Sequence, residues 1–397
     1  MRTITIEELE RMPGENRIVV DIRTEEMFRK GTYPGAVCIP QLAPELREEF
    51  LEEPERLRQL LPDVHKTVCV LCHTGSSSRE AALDLEELGY AVCDVEGGYR
   101  AYLRRSLEMK TSATEELLRE RIAKAERSII KKYRKQLWTR FTRAVTDYQL
   151  IREGDRIAVC ISGGKDSMLM AKLLQEIQRH GKIPFELVFL CMNPGYNADN
   201  WAIVQNNAKL LGIELTVFNS DIFDIVAAEE HHPCYLCARM RRGFLYANAK
   251  KLGCNKIALG HHYDDVIETI LMGILYSGKT ETMLPKLHSQ NFEGMELIRP
   301  MYLIREADIC AWRDYNDLHF IQCACRFTEH CATCGGAHAS KREEVKRLIA
   351  SLRAQDPVIE QNIFNCVRDI NLRTVLGYHK DGVAYHFLDD YDREMNN

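Results

Sequence analysis

Six consecutive residues, Ser162-Gly163-Gly164-Lys165-Asp166-Ser167, constrain this chain more than any other stretch. They follow the apolar run Arg156-Ile157-Ala158-Val159-Cys160-Ile161 and open an amphipathic segment from Met168 to Ile177. Strand, glycine-rich turn and helix start together build a phosphate cradle. The glycines let backbone amides approach an anion, and the helix N-terminus adds partial positive charge. Lys165 and the hydroxyls of Ser162 and Ser167 complete the shell. The spacing is not that of the Walker loop, which places four residues between its glycine and the Gly-Lys pair.

The segment just before this loop is strongly basic. Arg119 to Arg143 holds ten basic residues and two acidic ones, Glu120 and Glu126, in a chain whose net charge is −5. Ile122, Ala125, Ile129, Tyr133 and Leu137 recur at three- and four-residue steps, which predicts an amphipathic helix with a basic outer face. Its position before a nucleotide-binding core suits a contact with RNA phosphates; a solvated connector is the alternative. No apolar run reaches the length of a membrane span, and Met1-Arg2-Thr3-Ile4-Thr5 is not a signal peptide. A cytoplasmic protein is therefore expected. In a reducing cytosol, fifteen cysteines point to metal ligands or reactive sulfur more than to disulfides.

Residues 1–105 form a separate, acidic unit, with 14 Lys and Arg against 20 Asp and Glu. Arg17–Asp21 and Thr67–Leu71 are short β-rich runs of the kind buried in parallel sheets, and Pro54–Leu61 and Ser78–Leu88 are helical between and after them. The second strand ends in Cys72-His73-Thr74-Gly75-Ser76-Ser77-Ser78-Arg79 and enters a helix. A cysteine ringed by backbone amides at a helix N-terminus works as a thiolate and can carry a persulfide. With Asp21-Ile22-Arg23, Pro34-Gly35-Ala36 and Glu96-Gly97-Gly98-Tyr99, the unit resembles a rhodanese (sulfurtransferase) domain over its whole length. The resemblance puts Cys72 in the place of the persulfide-bearing cysteine. His73 stands where the commonest form has arginine, which leaves the donor open among a cysteine desulfurase persulfide, thiosulfate and sulfide. Cys38, Cys69 and Cys93 read as buried, inert thiols.

In the second unit, apolar strands follow the phosphate loop at Phe185–Leu190, Ile213–Val217 and Lys256–Leu259, separated by helical segments. That order predicts an α/β fold with a doubly wound parallel sheet and the nucleotide at the carboxyl ends of its strands. Gly260-His261-His262-Tyr263-Asp264-Asp265 again runs from strand to loop to helix, so Gly260, His261 and Asp265 fall beside the same crevice. Asp264 and Asp265 suit Mg2+, which favours hard oxygen ligands and keeps its waters; Asp264 also reads as a helix cap. Cys234-Tyr235-Leu236-Cys237 offers two thiols to one metal, although a lone Cys-x-x-Cys fits zinc, a redox pair or an iron–sulfur cluster equally. Cys323, Cys325, Cys331 and Cys334 lie downstream.

Taken in order, Leu150–Asp155, Ser162–Ser167, Pro194-Gly195, Cys234–Cys237 with Arg241-Arg242-Gly243, Gly260-His261-His262 and Ile298-Arg299-Pro300 make a family recognisable. Residues from about 125 to 375 resemble the tRNA 2-thiocytidine synthetase group of the ATP pyrophosphatases, the PP-loop enzymes. The resemblance implies ATP bound by Ser162, Gly163, Gly164, Lys165, Asp166 and Ser167, with Lys165 and Asp166 in catalysis. It implies a 4Fe-4S cluster held by Cys234, Cys237 and a third cysteine, Cys323 or else Cys325. Cys325, Cys331 and Cys334 could instead bind zinc. It implies tRNA as substrate, and a homodimer would be in keeping with the family. Four units are expected: a rhodanese-like domain at 1–105, a basic helical linker at 106–147, a PP-loop domain at 148–378 and a tail at 379–397. The function that joins them is ATP-dependent thiolation of a tRNA cytidine, with sulfur supplied through Cys72. Activation of another carbonyl, or sulfide or redox sensing without turnover, are the alternatives.

Overall fold

The computed structural model describes residues 1–52, 54–111, 115–220, 222, 233–321 and 341–391. The first unit runs β1 (Arg2–Ile4), α1 (Ile6–Arg11), β2 (Arg17–Asp21), α2 (Glu25–Lys30), β3 (Val37–Cys38), α3 (Arg47–Leu51), α4 (Pro54–Leu60), β4 (Thr67–Leu71), α5 (Ser78–Glu87), β5 (Val92–Val95) and α6 (Gly98–Thr111). Its sheet has the order β1-β5-β4-β2-β3, and every pairing is parallel. The central runs are apolar along their length because helices cover both faces. Cys69 and Cys93 are buried among them, and burial pushes both thiols up, Cys69 to about 12.

The second unit begins with α7 (Glu115–Arg127), two π-helical turns at Ser128–Lys132 and Arg134–Trp138, and α8 (Thr139–Asp147). It continues with β6 (Arg156–Ile161), α9 (Lys165–His180), β7 (Glu186–Asn193), α10 (Ala198–Leu210), β8 (Leu215–Asn219), α11 (Pro233–Lys251), β9 (Lys256–Ala258) and α12 (Tyr263–Met272). Then come β10 (Lys286–His288), β11 (Glu296–Ile298), α13 (Glu306–Tyr315), α14 (Lys341–Gln355) and α15 (Val358–Arg368). The sheet order is β10-β11-β9-β6-β7-β8, parallel except for the edge pair β10–β11. The chain winds outward from β6 in both directions, so the switch point lies between β6 and β9. Crevices for ligands open at such points, at the carboxyl ends of the strands.

Three expected boundaries move. The basic segment is not a linker laid outside the core, because Ala125, Ile129, Leu137, Phe141 and Val145 are buried in the same apolar cluster as β6 and α9. Lys131, Lys132, Arg134 and Lys135 do face outward, as the periodicity requires. Ser106–Glu116 is helical on both sides of the undescribed residues 112–114, with Leu107 buried against the first sheet. The tail forms a hairpin, β12 (Gly377–Lys380) with β13 (Val383–His386), followed by α16 (Leu388–Tyr391). No described helix is long and apolar enough to cross a membrane.

The two units share a core. Ile203 and Leu210 of α10 are buried in one cluster with Tyr99, Leu103 and Leu107 of α6. Arg100 of α6 also pairs with Asp199 of α10 at 2.7 Å. Wild-type protein is therefore expected to unfold in a single calorimetric transition. Ile203→Asp places an unpaired carboxylate in that cluster, costs about 3 kcal/mol or more, and should split the transition in two. Two independent transitions in the wild type would contradict the shared core.

Candidate active site

The loop after β6 takes the conformation that its glycines allow. Gly163 has φ +80°, and a Cβ there would stand 2.5 Å from Val204 Cγ2 and 3.0 Å from Ile321 Cδ1. Only glycine lets this backbone lie so close to α10. Gly164 is the N-cap of α9, and Lys165, Asp166 and Ser167 form its first turn. Ser167 Oγ donates to Gly164 O (3.0 Å) and receives the Ser162 amide (3.2 Å) and Ser162 Oγ (3.1 Å), so the two hydroxyls pin the loop from both ends. Free amides at a helix start, with the helix dipole behind them, make an anion site.

The loop after β9 meets it across the switch point. At Gly260 a Cβ would be 3.1 Å from Ser167 N, so the two backbones touch. His262 caps α12, and its amide donates to Asp265 Oδ2 at 3.0 Å. Its Nε2 lies 3.5 Å from Asp265 Oδ2 and 3.9 Å from Asp166 Oδ1. His261 is largely buried, and burial pushes its pKa down to about 4. Asp166 Oδ1, His261 Nδ1 and His262 Nδ1 are buried without a hydrogen bond among the described residues. Polar atoms left in this way beside an anion cradle fit a site that a polar ligand completes.

The carboxylates read as magnesium ligands are otherwise engaged. Asp264 accepts the Glu306 amide at 2.7 Å and pairs with Arg353 at 3.1 Å; Asp265 pairs with Arg342 at 2.9 Å. Asp265, not Asp264, makes the capping contact, by accepting the His262 amide. Lys165 Nζ is 3.2 Å from Asp166 and 3.0 Å from Glu306. Burial opposes the charge on Lys165, but Asp166 and Glu306 outweigh it and hold its pKa above the usual lysine value. Burial likewise opposes ionisation of Glu306, but Lys165 and Lys346 hold its carboxyl at about 2. Glu306, Arg342, Lys346 and Arg353 carried no sequence signal. They reach the site from elements about 140 to 190 residues beyond the phosphate loop, outside any motif.

In the first unit, Cys72 ends β4 and is buried, with the Gly75 amide donating to its sulfur at 3.0 Å. The start of α6 closes over it. Tyr99 N donates to Cys72 O at 2.8 Å and Arg100 N to His73 O at 3.1 Å. The Asp21-Ile22-Arg23 motif is a buried ion pair (2.6 Å) whose guanidinium also stacks on Tyr99, 3.8 Å from the ring centroid. Burial, then Arg23 and Arg100, push the His73 pKa down to about 4, so the residue in the arginine position is neutral.

The proposed cluster ligands stand apart from this description. Cys234 and Cys237 fall in the first turns of α11, and nothing is described of their side chains. Cys323, Cys325, Cys331 and Cys334 lie outside the described residues. Among the described residues, no group of three or more His, Cys, Asp or Glu side chains is placed to hold a metal.

The comparisons agree with this geometry. Residues 133–325 match the PP-loop domain and residues 5–105 the rhodanese-like domain. The tRNA-cytidine(32) 2-sulfurtransferase of Aliivibrio fischeri (strain MJ11) is 35% identical over 255 residues, which cover 63% of this chain and 79% of the relative. The chain belongs to the tRNA-cytidine(32) 2-sulfurtransferase family. That of Bordetella avium (strain 197N) is 37% identical over 242 residues, 59% of this chain and 73% of the relative. Among solved structures, the U34-tRNA thiolase NcsA from Methanococcus maripaludis with its 4Fe-4S cluster has a TM-score of 0.45 and 22% identity, covering 59% of this chain and 79% of that one. The sulfurtransferase thus carries a rhodanese-like domain fused ahead of its PP-loop domain.

Gly98→Ala tests how tightly the Cys72 loop is held. Gly98 has φ +57°, and a Cβ there meets the Cys72 carbonyl and stands 2.9 Å from Gly75 N, all backbone. The substitution should cost about 1–3 kcal/mol and change the alkylation rate of Cys72 severalfold. Gly14→Ala, which meets nothing within 4 Å, should do neither.

Proposed function

We propose that this sulfurtransferase uses ATP to exchange the C2 oxygen of a tRNA cytidine for sulfur that arrives on Cys72. One observation carries the reading: the Ser162–Ser167 loop and the Gly260–His262 loop touch at the switch point of a sheet whose chain also carries the Cys72 cradle. The C2 oxygen attacks the α-phosphorus of ATP and pyrophosphate leaves. A sulfur nucleophile then attacks C2, the C–S bond forms, the C–O bond breaks and AMP departs. Lys165 and the backbone amides at the start of α9 stabilise charge on the phosphates. Mg2+ would sit at Asp166, displacing its ion pair with Lys165 (3.2 Å), and would neutralise phosphate charge.

Sulfur enters as the outer atom of a Cys72 persulfide. Its release at the oxidation level of sulfide takes two electrons from a thiol reductant, which leaves as a disulfide. With His73 neutral and Arg23 committed to Asp21, neither side chain offers a free positive charge to the cradle, which suits a persulfide better than a dianion such as thiosulfate. Cys234 and Cys237, one helical turn apart, with Cys323, are the set that would hold a 4Fe-4S cluster. When bound, a cluster with three cysteine ligands leaves one iron open to sulfur. The target base must leave its stack to reach the crevice, which favours a single-stranded loop of the tRNA.

Nucleoside mass spectrometry of tRNA, from cells with and without this chain, tests the product. Lys165→Ala should abolish 2-thiocytidine and tRNA-dependent pyrophosphate release together. Cys72→Ser should block transfer of labelled sulfur from a protein persulfide donor while excess free sulfide restores it, because sulfide needs no protein carrier. Undiminished transfer from the protein donor in Cys72→Ser would make the first domain a docking module.

The outward face of the basic segment makes a second test. Lys131, Lys132, Arg134 and Lys135 are exposed, and Lys132 lies over the Tyr315 ring at 3.6 Å. Reversing these four charges should weaken tRNA binding and lower its salt slope by about 3 to 4, near one per phosphate contact. An unchanged slope would remove this face from the tRNA interface.

A further inference from the structure

Glu306 opens α13 and bridges two lysines. Its Oε1 is 3.0 Å from Lys165 Nζ, and its Oε2 is 3.0 Å from Lys346 Nζ on α14. Lys165 belongs to the phosphate loop, whereas Lys346 comes from the far end of the domain. The same face of α14 carries Arg342, which pairs with Asp265 (2.9 Å) and Glu268 (2.8 Å), and Arg353, which pairs with Asp264 (3.1 Å) and Glu360. Each arginine is thus held by two carboxylates, Glu360 being shared with Arg305. Among the described residues Lys346 pairs with Glu306, which it shares with the lysine of the phosphate loop, and its side chain stays 46% exposed. Glu306 is ionised at neutral pH, so one negative charge stands between two positive ones beside the anion cradle.

We propose that Lys346 is a second phosphate-binding lysine of this site, and that Glu306 holds both lysines in place until the nucleotide takes them over. The proposal rests on reading Ser162–Ser167 as the ATP loop. A triphosphate bears several negative charges where Glu306 bears one, and an ammonium on a flexible stem can turn from one to the other without losing its proton. The fixed guanidinium pairs of Arg342 and Arg353 keep α14 in place while Lys346 moves. Binding of phosphate would therefore draw on α9, through Lys165, and on α14, through Lys346, at once. The site gains a wall from residues that no motif marks.

Titration calorimetry of ATP with the full chain, in the presence of Mg2+, tests this. Lys346→Ala should raise the Kd for ATP about tenfold or more, and Lys346→Arg should restore most of it. Glu306→Gln should lower the Kd severalfold, since it removes the carboxylate that competes with phosphate. The opposite signs separate a phosphate ligand from a structural contact, because loss of a purely structural ion pair would lower the melting temperature in both variants and move affinity in neither. A wild-type chain that binds no ATP would overturn the reading of the loop. A wild type that binds, with Lys346→Ala binding equally well, would overturn the role of Lys346 alone. If Lys346→Ala does not fold, Lys346→Gln keeps the stem and removes the charge, and the same tenfold loss is required of it.

Discussion

The close approach of Gly163 to α10 ties the molecule together. The phosphate loop can take its shape only because its backbone lies directly on Val204, with no Cβ between them. The preceding residue of that helix, Ile203, turns the other way, into the cluster built by Tyr99, Leu103 and Leu107 of the first unit. One helix therefore presses on the loop with one side and on the rhodanese-like domain with the other. Ile321 packs against both clusters and closes the gap between them. Interiors of this density do not deform gradually, so a displacement at either face of α10 is felt at the other.

This arrangement changes how the first domain is to be understood. A carrier on a loose tether could swing its cysteine between donor and acceptor. Here α6 buries Tyr99, Leu103 and Leu107 in the shared cluster, its first turn hydrogen-bonds the Cys72 loop, and Arg100 from that same turn grips Asp199. The loop that carries Cys72 is thus braced by α6, which packs on the helix that touches the phosphate loop. In the proposed reaction, sulfur leaving Cys72 would travel by exchange between thiols, or by movement of residues outside the shared core, and not by rotation of the whole domain on its connection.

Much of the fold was legible because burial in a parallel sheet leaves a plain trace. Arg17–Asp21, Thr67–Leu71 and Arg156–Ile161 are unbroken apolar or β-branched runs, and their bounds agree with the strands found. The phosphate loop and the Cys72 loop were legible because glycine and hydroxyl residues at fixed offsets have few other uses. The basic segment misled in one respect. Its charges are as expected, but the apolar stripe that keeps it amphipathic is part of the second core, so it is a structural helix and not a linker. Periodicity tells that a helix has a buried face without telling what covers it. The ring of Glu306, Lys346, Arg342 and Arg353 was illegible for a related reason. Each is an ordinary surface-type residue until the topology brings α13 and α14 to the mouth of the sheet.

The two cradles differ in charge, and the difference follows their proposed ligands. Around Cys72 the donors are backbone amides, such as that of Gly75; the histidine is neutral, and the nearby arginines belong to Asp21 and Asp199. A site so balanced stabilises one negative charge on sulfur without holding it tightly, as a group that must be handed on requires. Around Ser162–Ser167, Lys165 and Lys346 share Glu306, and Lys165 also pairs with Asp166 at 3.2 Å, so two ammonium groups stand beside the loop against two carboxylates. Two cations at that place suit a polyphosphate, and they have to be held there before the nucleotide arrives. Two lysines facing each other in a half-buried crevice would repel, and burial alone would press them to lose their protons. Glu306, with Asp166, prevents both outcomes. The carboxylate that competes with phosphate for Lys165 thus also helps to keep Lys165 charged and pre-placed to receive it.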